Sequence, residues 1–235
     1  MQTAALFSGP PRQWHLPEPP HSDHTTAQEY AYARLRYAIL VGGVPPGVAL
    51  TIRGIATELS LSPTPVRESL KRLCSEGALL LQSNRRIITP PMTPARHQEL
   101  ISTRIALEQL AVRHAIPFIT DNDIDQLLAI DLQMDQAILD QDYILLVTLN
   151  QQFHSTLYAL NPEQVCLPMI ESVWLQLGPY NRVAAELAGE LTMEDWHKHL
   201  LQALRQRDPE LAAEAVASDI NQSSDSQLRA VVTKP

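Results

Sequence analysis

The chain has 235 residues, 45% hydrophobic and 19% charged, with 18 basic against 26 acidic residues and a formal net charge of −8. That composition fits an ordinary globular protein of one or two domains. No apolar run reaches the ~18 residues of a membrane span, and the opening MQTAALFSGPPRQWHLPEPPHSDH lacks the basic-then-apolar order of a secretory leader, so the sequence reads as cytoplasmic and free of membrane. Residues 1–24 read as a flexible arm from their Pro, Gly and His content. Cys74 and Cys166 stand far apart with no C-x-x-C and read as reduced, small hydrophobes. Charge is unevenly spread. Residues 21–92 carry 8 basic and 5 acidic side chains, a net +3, whereas residues 93–235 carry 9 and 20, a net −11. A basic front joined to an acidic remainder points to two tasks, one of them contact with a polyanion.

In chain order, Ala27–Leu40 predicts a helix, ended by Gly42-Gly43 and the turn VPPG at 44–47. The stretch TIRGIATEL opens on Thr51, a good N-cap, and spaces Ile52, Ile55, Ala56 and Leu59 as one helix face. A third helix is expected with Thr64 as N-cap and Pro65 in the first turn. Its stripe is Val66, Leu70 and Leu73, with Arg67 and Lys71 together beside it and Glu68 and Arg72 further round. A hydroxyl, a helix N-terminus and an arginine on one exposed edge suit phosphate and base-edge contact. Two short apolar runs, 78–81 and 87–88, flank the polar tip Ser83-Asn84-Arg85-Arg86 and predict a hairpin. Three helices followed by a basic-tipped hairpin make a winged helix-turn-helix over residues 25–92. The patterning alone also suits a small helical domain with a solvated charged face.

The residue order narrows that choice. LTIRGIATELSLSPTPVRESLKRLCSEGALLLQ resembles the DNA-binding domain of the GntR family of bacterial transcription regulators. The match includes Leu50, Arg53, Ala56, Leu59, Ser62, Thr64, Pro65, Val66, Arg67, Glu68, Leu70, Leu73, Glu76 and Gly77. The resemblance implies that Arg53 and Arg67 contact operator bases or phosphates and that Thr64 contacts the DNA backbone; Ser62 and Lys71 join them as candidate DNA-binding residues. Two positions depart from the family. Pro63 replaces the arginine before Thr-Pro, and Arg86 falls near the wing-tip glycine, so Arg85 and Arg86 are the candidate wing contacts.

From Thr93 to about residue 232 the pattern is helical, starting with TPARHQELISTRIALEQLAVRHA. Further amphipathic segments follow at about 121–139, 142–160, 163–188, 192–207 and 208–230. Asn161-Pro162, Gly178-Pro179, Gly189 and Asp208-Pro209 read as breaks. The fold class is therefore mainly α, a winged helix-turn-helix followed by an all-α bundle of about six helices. Polar residues interrupt three apolar stripes: Asn150 and His154 at i, i+4, then His197 beside Leu200, Leu201 and Leu204, then Asp219 after Ala212, Ala215 and Val216. His199 points elsewhere. Inward polar groups must be paired or coordinated, so the four are either satisfied core residues or a site.

R-x-x-L-E at 104–108, FHSTLYALNP at 153–162 and HKHLLQALRQRDPELAAEAV near the end resemble the FCD ligand-binding domain of the FadR subfamily, in its VanR-like group. That resemblance implies a divalent metal, Zn²⁺ or Ni²⁺, helping to hold a carboxylate effector. The family's Asp-x-x-x-His pair falls on Asn150 and His154, its second His on His197 and its last His on Asp219. One carboxylate remains but has moved, and an amide oxygen is a poorer ligand for these ions. Arg104 is the candidate counter-charge for the effector, and Asn150 and, after the Gly-Pro pair, Tyr180-Asn181-Arg182 are candidates to line the same cavity, with Asn150 and Arg182 as effector contacts. For Arg104, an ion pair with Glu108 one turn on is the competing role.

The implied function is a metabolite-responsive transcription regulator, a repressor by family habit. It would bind a palindromic double-stranded operator as a homodimer under control of a small carboxylate. An effector-independent DNA-binding protein whose bundle only dimerises is the alternative. A metal-dependent hydrolase built on His154, His197 and Asp219 lacks a general base beside a nucleophile, has no H-E-x-x-H and leaves the front segment unexplained.

Overall fold

The computed structural model describes residues 14–19, 26–83, 86–188 and 194–233. The chain divides into two compact units. One holds the residues before Pro94 together with Trp174–Asn181 and the C-terminal end; the other holds Pro94–Val173 and Arg182–Ala230.

The first unit opens with α1 (Ala27–Leu40), started by a capping box in which Thr26 and Glu29 satisfy each other's backbone N–H. A short strand β1 (Ala49–Leu50) leads into α2 (Ile52–Glu58), capped by Thr51 through the N–H of Gly54 at 3.1 Å. Helix α3 spans Pro63–Ser75. Strands β2 (Leu80–Leu81) and β3 (Ile87–Ile88) pair antiparallel as the predicted hairpin, and β1 adds to its far edge in the order β1-β3-β2. The third strand is absent from the sequence reading because two residues carry no period.

Helices α1 and α3 pack on each other around Leu35, Ile39, Val66, Leu70 and Leu73, closed by Ile55 from α2 and Leu50 from β1, all 0–1% exposed. Each such side chain contributes about 1.5–3 kcal/mol by leaving water. Ser69 enters this core because its hydroxyl donates to the carbonyls of Gln28 and Pro65. Gly77, at φ +74°, turns the chain out of α3, with the N–H of Ala78 returning to Leu73 O at 3.0 Å.

Two expectations need correction in this unit. Residues 14–19, read as part of the flexible arm, are docked. Leu16 is buried, His15 N–H donates to Gly43 O at 3.0 Å, and Arg34 reaches Leu16 O at 2.6 Å and Glu18 at 2.8 Å. An apolar Leu and a guanidinium needing acceptors outweigh the Pro-rich composition there. Helix α3 also starts earlier than expected. Ser62 occupies the N-cap position without a side-chain capping bond, and Pro63 takes the first helical position.

In the second unit, α4 (Pro94–Ala115) and a short 3-10 turn (Ile116–Phe118) precede α5 (Asp121–Leu139), which Thr120 and Asp123 start with a second capping box. Along the chain then come α6 (Tyr143–Tyr158), α7 (Cys166–Ala188), whose middle Trp174–Asn181 belongs to the first unit, α8 (Trp196–Gln206) and α9 (Pro209–Thr233), which is in the second unit as far as Ala230. Helix α5 packs on α6 and α8, and α4 on α6. The shared core includes Leu127, Phe153, Leu157, Leu204 and Val216, all fully buried.

The Gly178-Pro179 break does not occur, because α7 runs through both residues. Pro179 removes one helical hydrogen bond there. Gly178 suits a close approach within the first unit, where a Cβ at this position would lie 2.5 Å from Ile39 O. Among the described residues no helix is long and apolar enough to cross a membrane.

Candidate functional site

The front edge of α3 carries Ser62, Thr64 and Arg67, all exposed. Its first three positions, Pro63-Thr64-Pro65, offer a single backbone N–H because proline has none. The edge therefore depends more on side-chain hydroxyls and on arginine than an ordinary helix start would. Arg53 on α2 and Arg67 on α3 are exposed, with no ion-pair or hydrogen-bond partner among the described residues.

Other basic groups of α3 are engaged. Lys71 pairs with Glu68 at 2.8 Å. Arg72 lies over the ring of Tyr32 at 3.8 Å and pairs with Glu76 at 3.0 Å, while Tyr32 O–H also donates to Glu76. Arg72 thus holds α3 against α1. In the wing, Arg86 is exposed and its carbonyl accepts from Gln82 N–H at 2.8 Å; Arg85 lies outside the described residues.

In the bundle, α6, α8 and α9 bring His154, His197 and Asp219 together, with their ligand atoms all within 4.8 Å of one another. Asn150 stands one turn before His154, and its Oδ1 is buried without a hydrogen-bond partner. The Nε2 atoms of His154 and His197 are likewise buried and unbonded. The two imidazole rings lie 5.3 Å apart, and Phe153 packs edge-on against both. By contrast, His199 is exposed and pairs with Glu194 at 2.6 Å, away from the group, as its place on α8 predicts.

A buried relay supports His154 from behind. Arg104 Nε donates to Glu108 Oε1 at 2.6 Å, Tyr158 O–H donates to Glu108 Oε2 at 2.8 Å, and His154 Nδ1 lies 3.1 Å from the Tyr158 oxygen. Burial and then the Glu108 carboxylate raise the Tyr158 pKa well above its usual value, so the hydroxyl stays protonated and remains a donor. With its own O–H directed at Glu108, the tyrosine oxygen accepts from Nδ1–H. The network thus assigns a His154 proton to Nδ1, and Nε2 is the ring nitrogen turned to the rest of the group.

Nε2 faces Asp219 Oδ2 at 3.4 Å. Two acceptors at this separation repel unless a proton or a cation lies between them. Burial works to raise the Asp219 pKa, but His197, His154 and Arg104 together lower it by more, the imidazoles to the extent that they carry a proton, so the carboxylate is held below its usual range. Burial, only partly offset by Asp219, lowers the His197 pKa and keeps that imidazole a neutral ligand. Three unbonded buried donor atoms beside an ionised carboxylate therefore fit a divalent cation, with Asn150, His154, His197 and Asp219 to hold it.

The FCD domain model matches residues 99–222, just over half the chain, and the model for bacterial regulatory proteins of the gntR family matches residues 27–88. The chain belongs to the gntR-type regulators with an FCD domain. A curated relative, the HTH-type transcriptional regulator McbR of Escherichia coli strain K12, is 29% identical over 195 residues, covering 80% of this chain and 87% of that one. The Nta operon transcriptional regulator of Aminobacter aminovorans is 30% identical over 128 residues, covering 54% of this chain and 60% of that one. Among solved structures, E. coli McbR/YncC superposes with a TM-score of 0.78 at 24% identity over 88% of this chain and 99% of that one. A GntR regulator from Rhodococcus sp. RHA1 gives 0.66 at 22% identity over 87% and 98%. Both structural likenesses speak for the fold.

The FCD protein is accordingly a DNA-binding transcription regulator and not an enzyme. Both arginines proposed beside the effector are engaged in ion pairs. Arg104 is buried in its ion pair with Glu108, the competing role, although Asp219 also acts on its charge. Arg182 pairs with Glu186 at 2.9 Å on α7. Tyr158 went unnoticed; its only signal is its place one turn after His154. Asp131 was also missed. It is 2% exposed in the apolar stripe of α5, and burial, then Asp195 and Asp135, raises its carboxyl pKa to about 6.

Proposed function

We propose that this regulator is a metabolite-responsive repressor. It binds a palindromic operator as a homodimer in the cytoplasm and answers to a small carboxylate. Residues 25–92 read the DNA, and residues 93–232 dimerise and bind the effector. Arg53, Ser62, Thr64, Arg67 and Lys71 meet the major groove and its phosphates, and Arg85 and Arg86 supply the wing's contacts. The Arg53 and Arg67 side chains, without a partner among the described residues, support this assignment, whereas the Lys71–Glu68 pair gives Lys71 the smaller share.

Asn150, His154, His197 and Asp219 would hold Zn²⁺ or Ni²⁺, which when bound supplies a concentrated positive charge that a carboxylate can join. Asn150 and the guanidinium groups of Arg104 and Arg182 complete the effector's surroundings. The observation that carries the reading is the convergence of His154, His197 and Asp219, with ligand atoms within 4.8 Å of one another beside the unbonded Asn150 Oδ1, in a domain joined to a winged helix. An effector changes operator affinity by its differential affinity for two arrangements of the dimer.

Fluorescence anisotropy on the regulator's own promoter fragment tests this, with a panel of small carboxylates added to zinc-loaded and chelator-treated protein. The reading predicts specific binding that at least one carboxylate shifts about five- to 150-fold, with the shift lost on chelation. Operator binding untouched by every carboxylate would leave the bundle as a dimerisation module only.

A further inference from the structure

Next to the His154–Asp219 pair is a second group of ligand atoms. Asp131 on α5, Asp195 at the start of α8 and His197 bring three such atoms within 4.8 Å of one another. Asp131 is 2% exposed, and its Oδ2 is buried with no hydrogen-bond partner. A buried carboxylate oxygen in that state is costly unless a proton or a cation meets it. The nearby ammonium of Lys198 does not do so, being bonded to Asp195 at 2.5 Å and to Asp135 at 3.1 Å. Three carboxylates thus lie around one lysine, which bonds two of them and leaves out the most buried.

The donor chemistry of the two groups differs. Asn150, His154, His197 and Asp219 offer two imidazoles, one amide and one carboxylate, a set suited to borderline ions such as Zn²⁺. Asp131, Asp195 and His197 offer two carboxylates and one imidazole, a harder set that suits Mn²⁺ with water completing its shell. A neutral imidazole has one lone pair, so His197 completes one group at a time.

We propose that Asp131, Asp195 and His197 form an alternative cation position, selective for a hard divalent ion, which competes through His197 with the position at Asn150, His154 and Asp219. The bundle then holds one cation per chain, and the identity of the ion decides which carboxylates are engaged. On loading, Lys198 leaves Asp195 and keeps Asp135, so Lys198 is an internal competitor of the ion. The proposal shares His197 with the zinc reading but needs neither the operator nor the effector assignment.

The test uses the full chain, stripped with chelator and titrated separately with Mn²⁺, read by calorimetry and by the electron paramagnetic resonance of bound Mn²⁺, and with Zn²⁺. Asp131→Asn lowers Mn²⁺ affinity at least about tenfold and changes Zn²⁺ affinity less than about twofold, whereas Asp219→Asn does the reverse. Lys198→Met tightens Mn²⁺ and leaves Zn²⁺ unchanged. Should Asp131→Asn not fold, Asp195→Asn serves instead, because Asn also caps a helix start and the same selective loss of Mn²⁺ is expected.

The proposal is overturned if Mn²⁺ does not bind, if the Asp131 and Asp195 variants bind Mn²⁺ normally, or if the Asp131 and Asp219 variants weaken both ions alike. Loss of Zn²⁺ binding from the unaltered chain, with Mn²⁺ retained, counts against the zinc site alone.

Discussion

Replacing Tyr158 by Phe deletes one oxygen from the bundle and preserves the ring. That oxygen serves two buried partners, donating to Glu108 Oε2 at 2.8 Å and lying 3.1 Å from His154 Nδ1. Tyr158 is 1% exposed and Glu108 0%, so bulk water does not replace the lost hydroxyl. Glu108 keeps Arg104 through its other oxygen, so it loses a bond and not its counter-charge. A hydrogen bond to a charged group contributes about 1.5–3 kcal/mol, and a stranded buried donor costs about 1–3 kcal/mol. With partial relaxation the variant should lose about 3 kcal/mol.

At about 2–4 °C per kcal/mol for a chain of this size, the melting temperature of chelator-treated protein falls by roughly 6–12 °C. The imidazole also loses the partner that holds its proton on Nδ1, so Zn²⁺ affinity measured by calorimetry falls about 10- to 100-fold. A variant that melts like the parent and binds Zn²⁺ equally well refutes the relay. One that melts low but binds Zn²⁺ normally keeps the packing argument and removes the tautomer argument.

Other changes test separate parts of the structure. Glu108→Gln strands the Arg104 guanidinium in the core and should cost about 3–5 kcal/mol in denaturant unfolding; a loss under 1 kcal/mol, a large departure from that figure, contradicts a buried pair. Gly77→Ala forces a side chain onto φ +74° and should cost about 1 kcal/mol in the same assay. Lys71→Ala should weaken operator binding less than Arg67→Ala, because Lys71 is already paired with Glu68. Equal losses would show that this ion pair dissolves on DNA.

The sequence was most legible where period and chemistry agree. The stripe Val66, Leu70, Leu73 and the cap at Thr51 placed their helices because burial and hydrogen bonding act locally there. Asn150, His154, His197 and Asp219 stood out because polar residues interrupt apolar stripes, and three of them converge. Strand β1 was invisible at two residues, since its identity comes from pairing with β3 far along the chain.

Proline misled at two places, since α7 continues through Pro179 and Ser62-Pro63 starts α3 early, whereas the breaks at Asn161-Pro162 and Asp208-Pro209 stand. The Tyr158–Glu108 bond joins residues 50 apart in sequence, and Asp131 meets His197 from another helix, so neither shows in local spacing.

The account rests above all on the exposed edge of α3 meeting DNA. Anisotropy titrations of the unaltered chain and of Arg67→Ala on the regulator's own promoter, repeated over a range of salt, test it directly. The account predicts operator binding that weakens steeply with salt, and a variant about tenfold weaker or more whose salt slope is shallower by up to about one. Equal affinity and equal slope for the two proteins would contradict it.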